Sequence, residues 1–319
     1  MEIDLARCSH TREAYGRALV EEAGRNPDIV VIDGDVSGST KTDLFSRAYP
    51  HRFINVGIAE QNMVDIAAGL AHAGKIPFVS TFSIFGCGRA WEQIRNTVCL
   101  DNLNVKLVMT HAGLSLGGDG ATHQSLEDIA AMRVIPNMEV IVPADNTEVR
   151  AVVRHAVERY GPVYIRLSRR RTPLLFEEIG YSYDPAEYPV LTEGSDVSIF
   201  ANGCMIREAL IAADELGKEG ISARVLDMHT IKPLARECIL RNARETGRVV
   251  SVEEHSVHGG AGSAIAELLV EEYPVPMRFV GARDRFGRSG SVDELYRLFG
   301  LSSGHIVEAV RNLMMTGKR

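Results

Sequence analysis

Apolar and polar positions along this chain change period repeatedly, and the changes come in a regular order. Residues 11–26 carry apolar side chains at helical spacing and run into the apolar stretch 29–32. A helical pattern at 62–73 leads to a strand-like run at 77–81, and another at 91–100 leads to 105–110. A short strand-like run at 140–142, a helical pattern at 147–160 and a strand-like run at 163–167 complete this series. Short Val- and Ile-rich runs alternating with helical stretches predict βαβ units around a mainly parallel sheet covered on both faces.

The alternation stops between about 171 and 192, where Pro173, Pro185, Pro189 and the pair Glu177-Glu178 fall. That stretch reads as a linker. A second series follows, with strands expected at Val197–Ala201, 223–226, 249–252 and 277–280. Helices are expected between them at 206–219, 234–246 and 263–272, and two helical patterns close the chain. The prediction is an α/β chain of two domains, 1–172 and 193–319, joined by a linker at 173–192, each with a mainly parallel sheet flanked by helices.

Composition agrees with this division. A length of 319 residues suits two domains, and 45% hydrophobic with 24% charged residues is ordinary for a globular chain. A net charge of −7 supplies no basic field for phosphate backbones, so no nucleic-acid partner is expected. No apolar run reaches the ~18 residues of a membrane span. The opening MEIDLARCSH has acids where a signal peptide carries lysines, so a cytoplasmic protein is expected. Cys8, Cys87, Cys99, Cys204 and Cys238 are scattered, with no Cys-x-x-Cys pair. Free thiols fit that pattern better than disulfides or zinc.

Three clusters in the first series carry groups capable of chemistry. Asn55-Val56-Gly57-Ile58-Ala59-Glu60-Gln61-Asn62 lies where a strand gives way to a helix. A carboxylate at Glu60 either caps that helix and complements its dipole or, if buried, holds one nitrogen of a heterocycle. Phe82 and Phe85 leave a strand and enter a Gly-containing turn. Such a pair is either core or a face for a flat ring. The third cluster runs from His111 to Gln124 and holds Gly113, Gly117, Gly118 and Gly120 together with Asp119 and His123. A long Gly-rich loop at the carboxyl end of a parallel strand is where ligands bind in such sheets. Histidines there suit proton transfer near neutral pH. No His-x-x-x-His spacing supports a metal site.

Two stretches imitate cofactor motifs. Gly118-Asp119-Gly120 looks like the start of a diphosphate and magnesium motif, but Asn146, at the required distance, sits in Pro143-Ala144-Asp145-Asn146-Thr147, which reads as a helix cap. Gly259-Gly260-Ala261-Gly262 imitates a dinucleotide loop but does not complete Gly-x-Gly-x-x-Gly, because Ile265 stands at the last position.

Taken together, the clusters resemble the transketolase family over nearly the whole chain. Phe53-Ile54-Asn55-Val56-Gly57-Ile58-Ala59-Glu60-Gln61 is similar to the family's pyrimidine-domain motif. Thr81-Phe82, Arg89-Ala90-Trp91-Glu92-Gln93, the Gly118 to Gln124 loop, Pro143-Ala144-Asp145 and Arg166-Leu167-Ser168-Arg169 follow in family order. Asp227-Met228-His229-Thr230-Ile231-Lys232-Pro233 and Glu253-Glu254-His255 resemble the family's C-terminal domain.

The resemblance implies thiamine diphosphate as cofactor, with Glu60 bonded to the pyrimidine N1′ and favouring the imino tautomer that removes the thiazolium C2 proton. It implies that Phe82 and Phe85 line the pyrimidine and that Asp35 lies near the cofactor. Asp119 would hold a substrate hydroxyl, and His111 and His123 would bind sugar hydroxyls or move protons. Arg12, Ser39 and Arg169 would hold a sugar phosphate, a task that suits the planar fork of arginine. The stretch Asp35-Val36-Ser37-Gly38-Ser39-Thr40 matches loosely. Gln61 stands where many transketolases have His, a Glu-Gln pairing also found in beta subunits of 2-oxo-acid dehydrogenases.

The family's N-terminal domain, which holds Mg2+ and the diphosphate, has no counterpart here. A separate partner subunit carrying it is therefore expected, in an α2β2 assembly that moves a two-carbon ketol unit between sugar phosphates of the pentose phosphate pathway. The alternatives are a 2-oxo-acid dehydrogenase beta subunit, a deoxyxylulose-phosphate-synthase-like enzyme and a subunit that has lost its site. Retention of Glu60, Asp119, His111 and His123 argues against the last.

Overall fold

Strands whose residues are apolar throughout can be buried on both faces, and the structure uses them that way. A computed structural model describes residues 4–176 and 180–315, so the expected Glu177-Glu178 linker pair lies outside the described residues. In chain order the first half forms β1 (Cys8–Ser9), α1 (Thr11–Arg25), β2 (Ile29–Asp33), α2 (Ser37–Thr40), α3 (Asp43–Ala48), β3 (Phe53–Asn55), α4 (Glu60–His72) and β4 (Ile76–Phe82). It continues with α5 (Trp91–Gln93), β5 (Lys106–Ala112), α6 (Asp128–Arg133), β6 (Glu139–Ile141), α7 (Asn146–Glu158), β7 (Val163–Ser168) and β8 (Thr172–Pro173). The second half forms β9 (Val190–Thr192), β10 (Val197–Ala201), α8 (Ile206–Lys218), β11 (Ala223–Asp227), β12 (Thr230–Lys232) and α9 (Arg236–Thr246). It ends with β13 (Val249–Ser256), α10 (Ala261–Glu272), β14 (Met277–Ala282), α11 (Val292–Phe299) and α12 (Ser303–Met315).

Two larger sheets result, ordered β12-β6-β7-β5-β4-β2-β3 and β14-β13-β10-β11-β9. The pairs inside the first sheet from β6 to β3 are parallel. β2, β5 and β7 are buried along their whole length, as strands covered by helices on both faces must be. The α/β two-domain architecture expected from the hydrophobic pattern is therefore present. The helix cap read at 143–147 is present, and a second, not read from the sequence, stands at α11. Asp145 caps α7 by accepting from the Glu148 N–H at 2.9 Å, and Ser291 with Glu294 forms a capping box at α11.

Three features depart from the pattern. The helical stretch expected at 91–100 is one α-helical turn followed by a wider π turn at Ile94–Cys99. Part of the expected linker is strand: β8 pairs with β1, and β9 pairs antiparallel with β11. β12 belongs by sequence to the second half but pairs antiparallel with β6 of the first sheet. Its short run Thr-Ile-Lys carries too little period-2 signal to reveal this. The halves also share a core, in which Met63, Val79 and Met109 are continuous with Tyr188, Phe200 and Leu226.

The dinucleotide look-alike is closed. Glu253 accepts from the Ala261 and Gly262 N–H groups at 2.8 and 3.0 Å, so this chain's own carboxylate fills the N-terminus of α10.

Candidate active site

Parallel strands end on one edge of a sheet, and the connections leaving that edge form its natural binding site. The candidate residues gather at that edge: Phe82 and His111 at the carboxyl ends of β4 and β5, Glu60 at the start of α4, and Asp35, Phe85, Asp119, His123 and Arg169 in the segments after β2, β4, β5 and β7. Arg12 joins them from the first turn of α1.

Glu60 is the first residue of α4 and is only 4% exposed. Its carboxylate does not cap the helix. Arg89 donates to it from one nitrogen, Nη1, at 3.0 and 3.1 Å to the two oxygens. Arg89 reaches there because β4 runs into a π turn, Ile84–Arg89, rather than a tight turn. The guanidinium also lies 4.3 Å from the Phe85 ring centre, and half of the side chain remains exposed. Glu60, Arg89 and Ile58 help line an open cavity of about 570 Å³. Phe85 stacks on Phe82 with ring centres 5.9 Å apart, and Phe82 stacks on His111 at 4.0 Å. His123 meets the edge of Phe85 at 5.2 Å. A continuous row of rings thus links the carboxylate to the glycine-rich loop.

Beyond that row lies a cationic corner. Arg12 Nη1 donates to the Ser39 carbonyl and lies 3.3 Å from His111 Nε2. An arginine cannot accept, so Nε2 is the acceptor and a neutral His111 carries its proton on Nδ1, 2.8 Å from Thr110 Oγ1. Burial, then Arg12 and Arg169, push the His111 pKa down to about 3, so the ring is uncharged at neutral pH. Ser9 Oγ, His10 Nδ1, Thr11 Oγ1 and Arg12 Nε are buried without a partner among the described residues. Buried polar atoms rarely stay unpaired, so this corner is built to receive a polar group. His10 was not among the sequence candidates. A single histidine two residues before Arg12, it gave no signal of its own.

The glycine-rich loop leaves β5 with His111 at φ 59°, followed by Gly113, Gly117 and Gly120 at φ 75–78°. The left-handed region costs glycine little, which is why the loop needs its glycines. A 3-10 segment, Leu114–Asp119, leaves Asp119 exposed at its end. Arg169 donates to the Leu116 carbonyl at 2.8 Å. Asp35 stands apart from the ring row; exposed, it accepts from Asn55 Nδ2 at 2.9 Å.

Comparison with known proteins decides the family. The family model "Transketolase, pyrimidine binding domain" matches residues 9–173, and "Transketolase, C-terminal domain" matches residues 186–306. The chain belongs to the transketolase family. It corresponds to the family's C-terminal portion, and its function is transketolase-like. A solved structure described as a split gene transketolase, inactive beta4 tetramer, is 51% identical, with a TM-score of 0.88 over 97% of this chain and 99% of that one. A Methanocaldococcus jannaschii protein described as a transketolase C-terminal section is 45% identical over 95% of this chain and 96% of its own length. The 6-deoxy-6-sulfo-D-fructose transketolase subunit SqwH of a Clostridium species is 43% identical over 95% of this chain and 94% of its own.

Members of the transketolase family depend on thiamine diphosphate, and the residues present fit its pyrimidine. A nearly buried carboxylate at the wall of an open cavity can bond a ring nitrogen, and its present partner, Arg89, has a half-exposed side chain. The neighbouring Phe85 and Phe82 offer flat apolar faces. No group of three or more His, Cys, Asp or Glu residues able to hold a metal occurs among the described residues.

Proposed function

We propose that this chain supplies the pyrimidine half-site of an enzyme that moves a two-carbon ketol unit from a ketose phosphate to an aldose phosphate. Residues 1–172 form the pyrimidine domain, 193–319 the C-terminal domain, and 173–192 connect them. A second subunit brings the diphosphate and Mg2+ site, and two copies of each chain associate as α2β2 in the cytoplasm. The observation that carries the reading is the placement of Glu60, nearly buried on a cavity wall and continuous through Phe85 and Phe82 with the Arg12–His111 corner.

Thiamine diphosphate, when bound, would supply the carbanion-stabilising chemistry. Glu60 would hold a ring nitrogen of the pyrimidine and a shared proton, in place of its present bond to Arg89. Phe82 and Phe85 wall the ring and exclude water. Asp35 flanks the cofactor side of the same edge. Arg12, Ser39 and Arg169 hold the substrate phosphate, with His10 as a further donor. His111, neutral, would accept from a substrate hydroxyl at Nε2 once Arg12 turns to the phosphate, with Nδ1 held by Thr110. Asp119 accepts from a substrate hydroxyl, and His123 moves a proton during cleavage.

The test is a ketol-transfer assay of this chain, alone and mixed with a diphosphate-domain subunit, with Mg2+ and thiamine diphosphate. The donor panel contains phosphorylated and sulfonated ketoses, including substrates of the pentose phosphate pathway. Transfer in the mixture alone supports the proposal. Decarboxylation of a 2-oxo acid without ketol transfer overturns it.

A further inference from the structure

The glycine-rich loop is held by a residue from the other domain. Its 3-10 segment begins after Gly113, which has no side chain with which to cap it. The first N–H groups of any helical turn lack a partner within the turn, and a carboxylate is the strongest acceptor for them. Here Glu254, at the carboxyl end of β13 and 139 residues away in sequence, accepts from the Ser115 N–H at 2.5 Å. Its second oxygen accepts from Cys204 Sγ at 3.1 Å, and Cys204 lies 3.3 Å from the Tyr296 hydroxyl. Glu254 is 1% exposed. Burial pushes its carboxyl up, while Arg166, Cys204, Ser115 and Tyr296 favour the ionised form.

The contact leaves no slack. A Cβ on Gly113 would stand 2.4 Å from Glu254 Cδ. Leu114 is packed within the core of the second domain, among Ile199, Ala201 and Val252. At the far end of the loop Gln124 donates to the Arg288 carbonyl at 3.0 Å, and a Cβ on Gly120 would meet Ser289 Oγ at 2.6 Å. Four residues of this loop have positive φ, and no strand ladder continues beyond Ala112. The hydrogen bonds inside the loop gather at its far end, where Gly120, His123 and Gln124 donate to Gly117 and Gly120, so the end at Ser115 depends on Glu254.

We propose that Glu254 is a positioning residue: by capping the loop at Ser115 from the C-terminal domain, it fixes where Asp119 and His123 stand, without touching substrate. This rests on the functional reading above for the roles of Asp119 and His123. The C-terminal domain thereby acts on ketol transfer, with this carboxylate holding the near end of the loop and the Arg288 carbonyl its far end.

Two measurements test it. Hydrogen exchange of the full chain should show the 113–124 segment exchanging roughly tenfold faster in Glu254→Ala, with β10 and β13 unchanged. Glu254→Gln keeps an acceptor for Ser115 and should restore most of the protection. If Glu254→Ala does not fold, Glu254→Gln bears the test through an intermediate rate. Native exchange in the loop of the folded variants overturns the proposal. In the complex with the diphosphate-domain subunit, kcat should fall about tenfold in Glu254→Ala while the KM for thiamine diphosphate stays within about twofold. An unchanged kcat with a loosened loop also overturns it. Absence of transfer in the native complex would instead remove the functional reading, and the exchange measurement would still decide whether Glu254 holds the loop.

Discussion

Arg89 donates to both carboxylate oxygens of Glu60, yet Glu60 is nearly buried while half of the Arg89 side chain is exposed to solvent. The acid is fixed by its helix and the cation is free to leave. Removing Arg89 leaves a shielded carboxylate without its counterion, whereas removing the charge on Glu60 leaves only an exposed arginine. Arg89→Ala should therefore destabilise the isolated chain by about 1 kcal/mol, discounted for exposure, and Glu60→Gln by less. Thermal unfolding of both variants checks this, and the reverse order would refute it. In the assembled enzyme, Glu60→Ala should abolish ketol transfer without loss of fold; full activity would remove Glu60 from the cofactor site.

His111 resists protonation in the folded chain, with its pKa held down to about 3. The unfolded chain takes up that proton near pH 6.5, so stability is retained above 6.5 and lost as pH falls toward 3, by up to ~1.4 kcal/mol per pH unit. Burial lowers His229 to about 4 and adds a loss of the same sign. A histidine NMR titration should show no His111 transition between pH 5 and 8. A transition near 6.5 would mean that Arg12 does not face the ring in solution.

Asp227, at the end of β11, has both carboxylate oxygens buried without a hydrogen-bond partner among the described residues. Its neighbour Glu148 is also buried, and burial pushes that carboxyl up to about 7. Burial, with Glu148 and Asp145 nearby, pushes Asp227 well above the ordinary carboxylate range. Groups raised in this way favour the folded state below their unfolded pKa, and that advantage disappears as pH rises through about 7. Asp227→Asn should raise the melting temperature at pH 8, by about 1–2 kcal/mol in stability, and change little at pH 5. Equal effects at both pH values would contradict the raised pKa of Asp227.

Glu253 and Glu254 are neighbours with different tasks. Glu253→Ala should remove the cap of α10 and cost about 1–2 kcal/mol, read by chemical denaturation. Exchange in the 113–124 segment should stay native, because Glu253 accepts from the Ala261 and Gly262 N–H groups and lies 3.9 Å from His255, and none of these is a loop residue.

Arg12→Ala should raise the KM for a phosphorylated donor about tenfold, with a smaller change in kcat. Steady-state kinetics with phosphorylated and unphosphorylated donors checks this. An equal loss with both would place Arg12 away from the phosphate.

Much of the site was legible because its parts lie in short contiguous motifs. Glu60, Phe82, Phe85, His111 and His123 announce themselves by residue type at strand ends, and the fold brings four of them into one row of rings. Arg89 appeared only as a motif letter, because its role depends on a π turn that sequence period does not specify. β12 and β9 are too short to show a period, and each takes its place only through the strand it joins.

The alternation of apolar strands and amphipathic helices, the caps at Asp145 and Ser291 and the glycines with positive φ are local properties, and the sequence by itself determined them. The tertiary structure alone decided which distant groups meet: Arg89 with Glu60, Arg12 with His111, and Glu254 with Ser115 across 139 residues. Local structure follows from short-range sterics and period. The pairing of buried charges depends on which surfaces pack together, because desolvation makes an acceptor out of whatever carboxylate reaches the orphaned N–H.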